Sequence, residues 1–185
     1  MTITFPAAAP LRALAGSLLA AAAFAALPAS AIERVEPWPA RTPTPSLELA
    51  DLGGHAWQLD ALRGKVVLLH FWASWCESCV EELPQLDALA ARGPADGLVL
   101  LSVNYRDSAA TLASFTAAHP AAYPILRDRT GETFKRWGGI VMPLTILIDR
   151  GGHARWRMNG PLAGAGPAFD TALTQLLAQP ASPQP

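Results

Sequence analysis

Two cysteines, Cys76 and Cys79, are the whole thiol inventory of the chain, and they stand three apart in the stretch VVLLHFWASWCESCVEELP that runs from Val66 to Pro84. Val66 to Trp72 is an apolar run rich in β-formers and reads as a strand buried on both faces. From Cys76 onward the period lengthens. Val80, Leu83, Leu86 or Asp87, and Ala90 recur at helical spacing, so a helix is expected to begin at or just before Cys76. The free N–H groups and positive dipole end of a helix favour a thiolate over a thiol. Cys76 is therefore the candidate nucleophile. Cys79, one turn further in on the same face and more buried, is the candidate resolving thiol, which attacks a mixed disulfide at Cys76 and releases the substrate. Two other readings of the pair are weaker. A structural disulfide closing a four-residue loop contributes only about 2 kcal/mol in the chain-entropy model. A zinc site needs two further ligands, and no second Cys or His pair stands at ligand spacing.

The elements around this stretch follow from its neighbours. Leu47 and Leu49 alternate, Gly53 and Gly54 turn, and Trp57 and Leu59 alternate again, which predicts a hairpin over residues 46–62. The cysteine helix should end near Arg92, Gly93 and Pro94. Leu98 to Val103 then forms a second strand, parallel to the first because a helix separates them. Ser108 reads as the N-cap of a helix to about His119, with Leu112 and Phe115 inward. A short strand (Pro124 to Leu126), a short helix (Thr130 to Trp137) and an antiparallel strand pair (Pro143 to Ile148, His153 to Met158) follow. Phe169, Ala172, Leu173, Leu176 and Leu177 mark a final amphipathic helix.

Length allows one domain with a full core. The 14 basic and 15 acidic residues leave a formal charge of -1 with no long run of either sign, so nothing asks for nucleic acid. Arg12 precedes an uncharged stretch from Ala13 to Leu27, and Ala29, Ser30 and Ala31 form a small-x-small cleavage site. Residues 1–31 thus read as a signal peptide cut after Ala31, or as an uncleaved anchor that tethers the protein to a membrane. Fifteen residues are short for a bilayer span. No cysteine follows the stretch to carry a lipid. The expected location is periplasmic, where disulfides form and persist. Residues 32–45, with Pro37, Pro39, Pro43 and Pro45, read as an extended linker, 46–178 as the domain, and 179–185 as a disordered tail.

RGKVVLLHFWASWCESC, with Glu82 and Pro84 completing a C-x-x-C-x-x-E-x-P arrangement, and WGGIVMPLTILIDRGGHARWRMNGPL carry a resemblance over roughly residues 46–178. The chain resembles the thioredoxin-like superfamily and, within it, the exported TlpA/ResA-type thiol-disulfide oxidoreductases. That resemblance implies an α/β fold: a central mixed sheet with helices on both faces, an N-terminal β-hairpin and a βα insertion. It implies a redox disulfide between Cys76 and Cys79, and a cis Pro143 facing it that exposes the backbone of Met142 to an extended substrate strand. Glu82 matches an acidic position bordering the active site. Protein disulfides or dithiols are the implied substrates, and a membrane electron donor would restore the dithiol. No cofactor is called for.

Three departures bear on the chemistry. Glu77 and Ser78 replace the more usual x-Pro between the cysteines, and a negative Glu77 should oppose the Cys76 thiolate, giving a reductant or general exchanger rather than a strong oxidase. His70 stands where many thioredoxins bury an acid beneath the resolving cysteine; it is either a proton acceptor for Cys79 or a satisfied core histidine. Leu144 follows Pro143 where the cytochrome c maturation branch resembles Pro-Glu-Thr, which weakens a haem-maturation role. Trp72 and Trp75 flank the site as packing or as an apolar rim for substrate. Glu81 reads as solvated, and His55, His119 and His153 have no paired ligand. The rival function is a Cu(I)-binding metallochaperone in which Cys76, Cys79 and Met142 supply soft sulfur ligands.

Overall fold

The computed structural model describes residues 1–2 and 35–180, leaving aside the side chain of Pro94. Most of the expected signal segment, the first residues of the linker and the tail from residue 181 lie outside the described residues. Strand β4 (Val66–Trp72) is the centre of the molecule, with all seven residues buried. Its alternation divides the core in two. Val66, Leu68 and Trp72 pack with Cys79, Leu86, Leu112, Phe169 and Leu173, whereas Val67, Leu69 and Phe71 pack with Leu47, Leu126, Phe134, Trp137 and Ile146. Each such side chain contributes about 1.5–3 kcal/mol by leaving water, which is why this strand reads as a continuous apolar run rather than an alternating one.

Strand β5 (Leu98–Tyr105) pairs parallel to β4, and β6 (Ile125–Asp128) parallel to β5. On the other side β7 (Leu144–Ile148) pairs antiparallel to β4, and β8 (Ala154–Asn159) antiparallel to β7. Two helical pieces, α1 (Glu77–Glu81) and α2 (Leu83–Asp96), join β4 to β5. Helix α3 (Ala109–Ala118) joins β5 to β6, α4 (Glu132–Arg136) joins β6 to β7, and α5 (Leu162–Leu177) closes the chain. Helices α2, α3 and α5 feed one core cluster and α4 the other, so the sheet is covered on both faces. This is the thioredoxin-like architecture, with α3 and β6 as the inserted βα unit and β2 (Glu48–Ala50) with β3 (Ala56–Gln58) as the hairpin.

The expected linker differs most. Val35–Pro37 form β1, an edge strand paired antiparallel to β8, so the main sheet runs β1-β8-β7-β4-β5-β6. Trp38 meets Trp137 edge-on, and the Thr44 hydroxyl accepts the Ala154 N–H. Proline is tolerated at the edge because its missing N–H faces no partner strand. The residues read as a spacer from Val35 onward are thus part of the folded unit.

The cysteine helix also differs in two ways. It breaks at Glu82 (φ -92°, ψ -2°) between α1 and α2, and it runs through Gly93 and Pro94 to Asp96. Gly93 packs against Leu98, where an added Cβ would lie 2.9 Å from the Leu98 carbonyl oxygen, and left-handed Gly97 closes the helix with its N–H on the Gly93 carbonyl. Helix α5 starts seven residues before its amphipathic signature and is kinked at Gly166, just ahead of Pro167. Ser108 caps α3 as expected, its hydroxyl accepting the Thr111 N–H.

Candidate active site

Cys76 is the N-cap residue of α1, with extended backbone, and its carbonyl accepts the N–H groups of Cys79 and Val80. Cys76 and Cys79 are joined in a disulfide, with Cα atoms 5.2 Å apart. Cys76 is 9% exposed and Cys79 fully sealed, so any partner sulfur must approach Cys76. The hydroxyl of Ser78 lies 3.6 Å from the Cys76 sulfur, close enough to donate to it. Trp75, next in the chain, is 65% exposed, whereas Trp72 is a core residue packed on Phe115. The two tryptophans therefore separate into rim and packing.

His70, wholly buried, alternates with Leu68 and Trp72 on the face of β4 that packs toward the cluster holding Cys76 and Cys79. Its Nδ1 is 3.0 Å from the Thr145 hydroxyl. Its Nε2 is 3.0 Å from Glu82 Oε1, within ion-pair range but not aligned as a hydrogen bond. The other carboxylate oxygen of Glu82 accepts the Leu162 N–H at 2.8 Å, at the first turn of α5. Glu82 occupies the break between α1 and α2, just ahead of Pro84 in the first turn of α2, and from there its side chain meets both partners. Thr145 lies two residues past Pro143 on β7, and the peptide bond between Met142 and Pro143 is cis. Pro143 is buried, its carbonyl accepts the Gly160 N–H, and partly buried Met142 packs against both core clusters. The β8–α5 turn thus holds the Pro143 loop through Gly160 and the cysteine helix through Leu162.

The profile of the AhpC/TSA family matches residues 40–157. The chain belongs to this family. It is 30% identical over 118 residues to the thiol-disulfide oxidoreductase ResA of Geobacillus kaustophilus, covering 64% of this chain and 68% of that protein. It is 32% identical over 103 residues to the sporulation thiol-disulfide oxidoreductase A of Bacillus subtilis, covering 54% and 62%. The crystal structure of StoA from Bacillus subtilis superposes with a TM-score of 0.58 at 27% identity, covering 64% of this chain and 90% of that one. Fold, family and cysteine pair agree with the resemblance carried by the sequence motifs, and they make this AhpC/TSA family member a thioredoxin-like enzyme of the thiol-disulfide oxidoreductase class.

Of the residues singled out from the sequence of this family member, Cys76 and Cys79 meet in a bond, and His70 and Glu82 meet each other in the buried interior. Met142 and Pro143 form the loop after α4, and Trp75 stands exposed beside Cys76. Sequence reasoning missed Thr145, Leu162 and Asp107. Asp107 lies in the turn after β5, and its Oδ2 accepts the Ser74 N–H at 2.9 Å and an Asn104 side-chain N–H at 2.7 Å. A signal was available: polar residues just past the carboxyl end of a central parallel strand line the crevice where α/β sheets place their sites. Leu144 is buried in the core, so the position after Pro143 presents no polar group to the surface. Tyr123, near Asp87 and Glu82, has its phenol pushed well above the usual tyrosine range, by burial first and then by those two carboxylates.

Proposed function

We propose that this protein is an exported enzyme that reduces or exchanges disulfides of other exported proteins through the Cys76/Cys79 dithiol. The observation that carries this reading is the bond between a cysteine at the surface edge of a helix start and a sealed cysteine one turn later. In the reduced enzyme the Cys76 thiolate attacks one sulfur of a substrate disulfide. A mixed disulfide forms, and the substrate's other sulfur leaves as a thiolate that takes up a proton. Cys79, losing its proton, then attacks the Cys76 sulfur, releasing the reduced substrate and leaving the bond between Cys76 and Cys79. Two electrons have passed to the substrate, and a dithiol donor at the membrane returns them.

His70 is suited to take the Cys79 proton. A threonine hydroxyl donates or accepts equally well, so Thr145 on Nδ1 can rotate to suit the ring, with the Glu82 carboxylate at 3.0 Å from Nε2 on its other side. Glu82 itself is held in place by the Leu162 N–H. Trp75 and the Met142–Pro143 loop flank the route to Cys76 and position an extended substrate. Ser78, donating to the sulfur, partly offsets the opposing charge of Glu77, leaving a reductant or general exchanger. Signal-directed export to the periplasm, or tethering through a retained N-terminal segment, fits the sequence of residues 1–31.

The test is substrate capture with Cys79→Ala in cells. A stalled mixed disulfide at Cys76 with an exported protein supports the reading, and the identity of that protein separates apocytochrome maturation from metallocentre assembly. Stoichiometric Cu(I) binding by the reduced parent protein, with no turnover of insulin disulfides, would instead establish the metallochaperone.

A further inference from the structure

Asp107 stands on a different element from every residue assigned above, yet it holds the backbone that delivers Cys76. Strand β5 pairs Asn104 with Trp72 of β4, so the two strands end side by side. There β4 turns outward. The Ala73 carbonyl accepts the Cys76 N–H at 3.1 Å, leaving the Ser74 N–H within the turn to find its own partner. That partner is Oδ2 of Asp107. The carboxylate is brought back over the strand ends by Arg106, a non-glycine residue at φ 60° whose N–H is fixed on the Asp128 carbonyl at 3.0 Å. Left-handed backbone at arginine is uncommon and is kept only where the surroundings over-determine it. Asn104, 2% exposed, donates its side-chain N–H to the same carboxylate oxygen and limits its swing.

We propose that Asp107 is a positioning residue for the thiol exchange: its carboxylate locks the Ser74 turn, and through it the direction in which the Cys76 sulfur meets an incoming disulfide. A charge-assisted acceptor on a backbone N–H is shorter and stronger than a neutral one, and displacing a reacting atom by about 1 Å costs on the order of a hundredfold in rate. Asparagine at 107, with its side-chain oxygen in the place of Oδ2, keeps an acceptor for both the Ser74 N–H and the Asn104 side-chain N–H. Alanine keeps neither.

This inference rests on Cys76 being the attacking thiol, and one set of measurements separates the two. The reduced parent, Asp107→Ala and Asp107→Asn are each mixed with oxidised glutathione, and the rate of dithiol oxidation is followed with the fold checked by circular dichroism. Asp107→Ala is expected to lose at least about tenfold in rate, with Asp107→Asn recovering most of it. The Ser74 amide should be protected from hydrogen exchange in the parent, and should lose protection in Asp107→Ala and to a lesser degree in Asn104→Ala. A parent that does not exchange with glutathione sinks the reading of Cys76. A parent that exchanges while Asp107→Ala exchanges equally fast, or whose Ser74 amide is unprotected, overturns the role of Asp107 alone.

Discussion

Each ring nitrogen of His70 has an oxygen at 3.0 Å, and the residue is sealed from solvent, so its contribution separates into packing and proton handling. Asparagine fills part of the volume but cannot hold a proton. His70→Asn is predicted to slow disulfide exchange by about tenfold or more, within the range of general acid–base effects, when followed from pH 6 to pH 8. Unchanged rates across that interval would make His70 a core residue only. Tyr123 gives a second prediction with a defined sign. Its phenol loses a proton less readily in the folded protein than in the unfolded chain, so the folded state binds more protons at high pH. Stability should therefore fall as pH rises past about 10, and Tyr123→Phe should reduce that slope, as read by urea unfolding at pH 9 and pH 11. At this scale the cysteines, Glu82 and His70 were legible because their residue types carry the chemistry. Asp107 and Thr145 were not, since their partners are 33 and 75 residues away in the chain and only the strand register brings them together.

Among the elements, the same connection is used twice. Asp51-x-Gly-Gly-His55 and Asp149-x-Gly-Gly-His153 both turn the chain between antiparallel strands. In both, Oδ1 of the aspartate accepts two N–H groups, from Gly53 and His55 in one and from Gly151 and His153 in the other. Gly54 and Gly152 adopt φ of 86° and 79°, where a side chain would be strained. In the first turn Oδ2 also accepts the Trp57 indole N–H, and that bond, with the two backbone bonds, holds the Asp51 carboxyl below the usual range. A lowered folded-state value stabilises the hairpin above the ordinary aspartate range, and that stabilisation is lost as the pH falls through the folded value. Asp51→Ala should therefore loosen β2 and β3 at neutral pH, read as faster hydrogen exchange there, and make little further difference in strong acid. The loop after α4 is fixed differently. Gly139 lies flat on the Phe134 ring, where a Cβ would fall inside van der Waals contact. Gly139→Ala should cost about 1–3 kcal/mol and displace the Met142–Pro143 loop, visible as reduced turnover of insulin disulfides. Hairpin, strand pairs and helices were readable from periodicity and turn residues. The break at Glu82 was missed although Pro84, in the first turn of α2, signals it by lacking an N–H; the contacts of Glu82 with His70 and Leu162 come only from the fold.

For the molecule as a whole, the folded unit begins earlier than proline content implied. Composition signalled an extended segment, and extended it is, but β8 offers an open edge that only the folded sheet reveals. Deleting residues 35–45 from a protein beginning at Val35 is predicted to lower the melting temperature by several degrees, since β1, the Trp38 contact with Trp137 and the Thr44 hydrogen bond go together. At the opposite end Arg150 donates to the carbonyls of Gly64, Leu177 and Gln179, tying the end of α5 to the start of β4. These ties frame a rigid scaffold around one exchangeable bond. The most direct measurement is equilibration of the purified protein with dithiothreitol and then with oxidised glutathione, scoring the Cys76/Cys79 bond at each poise. The account predicts reversible opening and closing, at a potential well below the strongly oxidising value of about -120 mV. A bond that neither reagent opens or re-forms in the folded protein would contradict it.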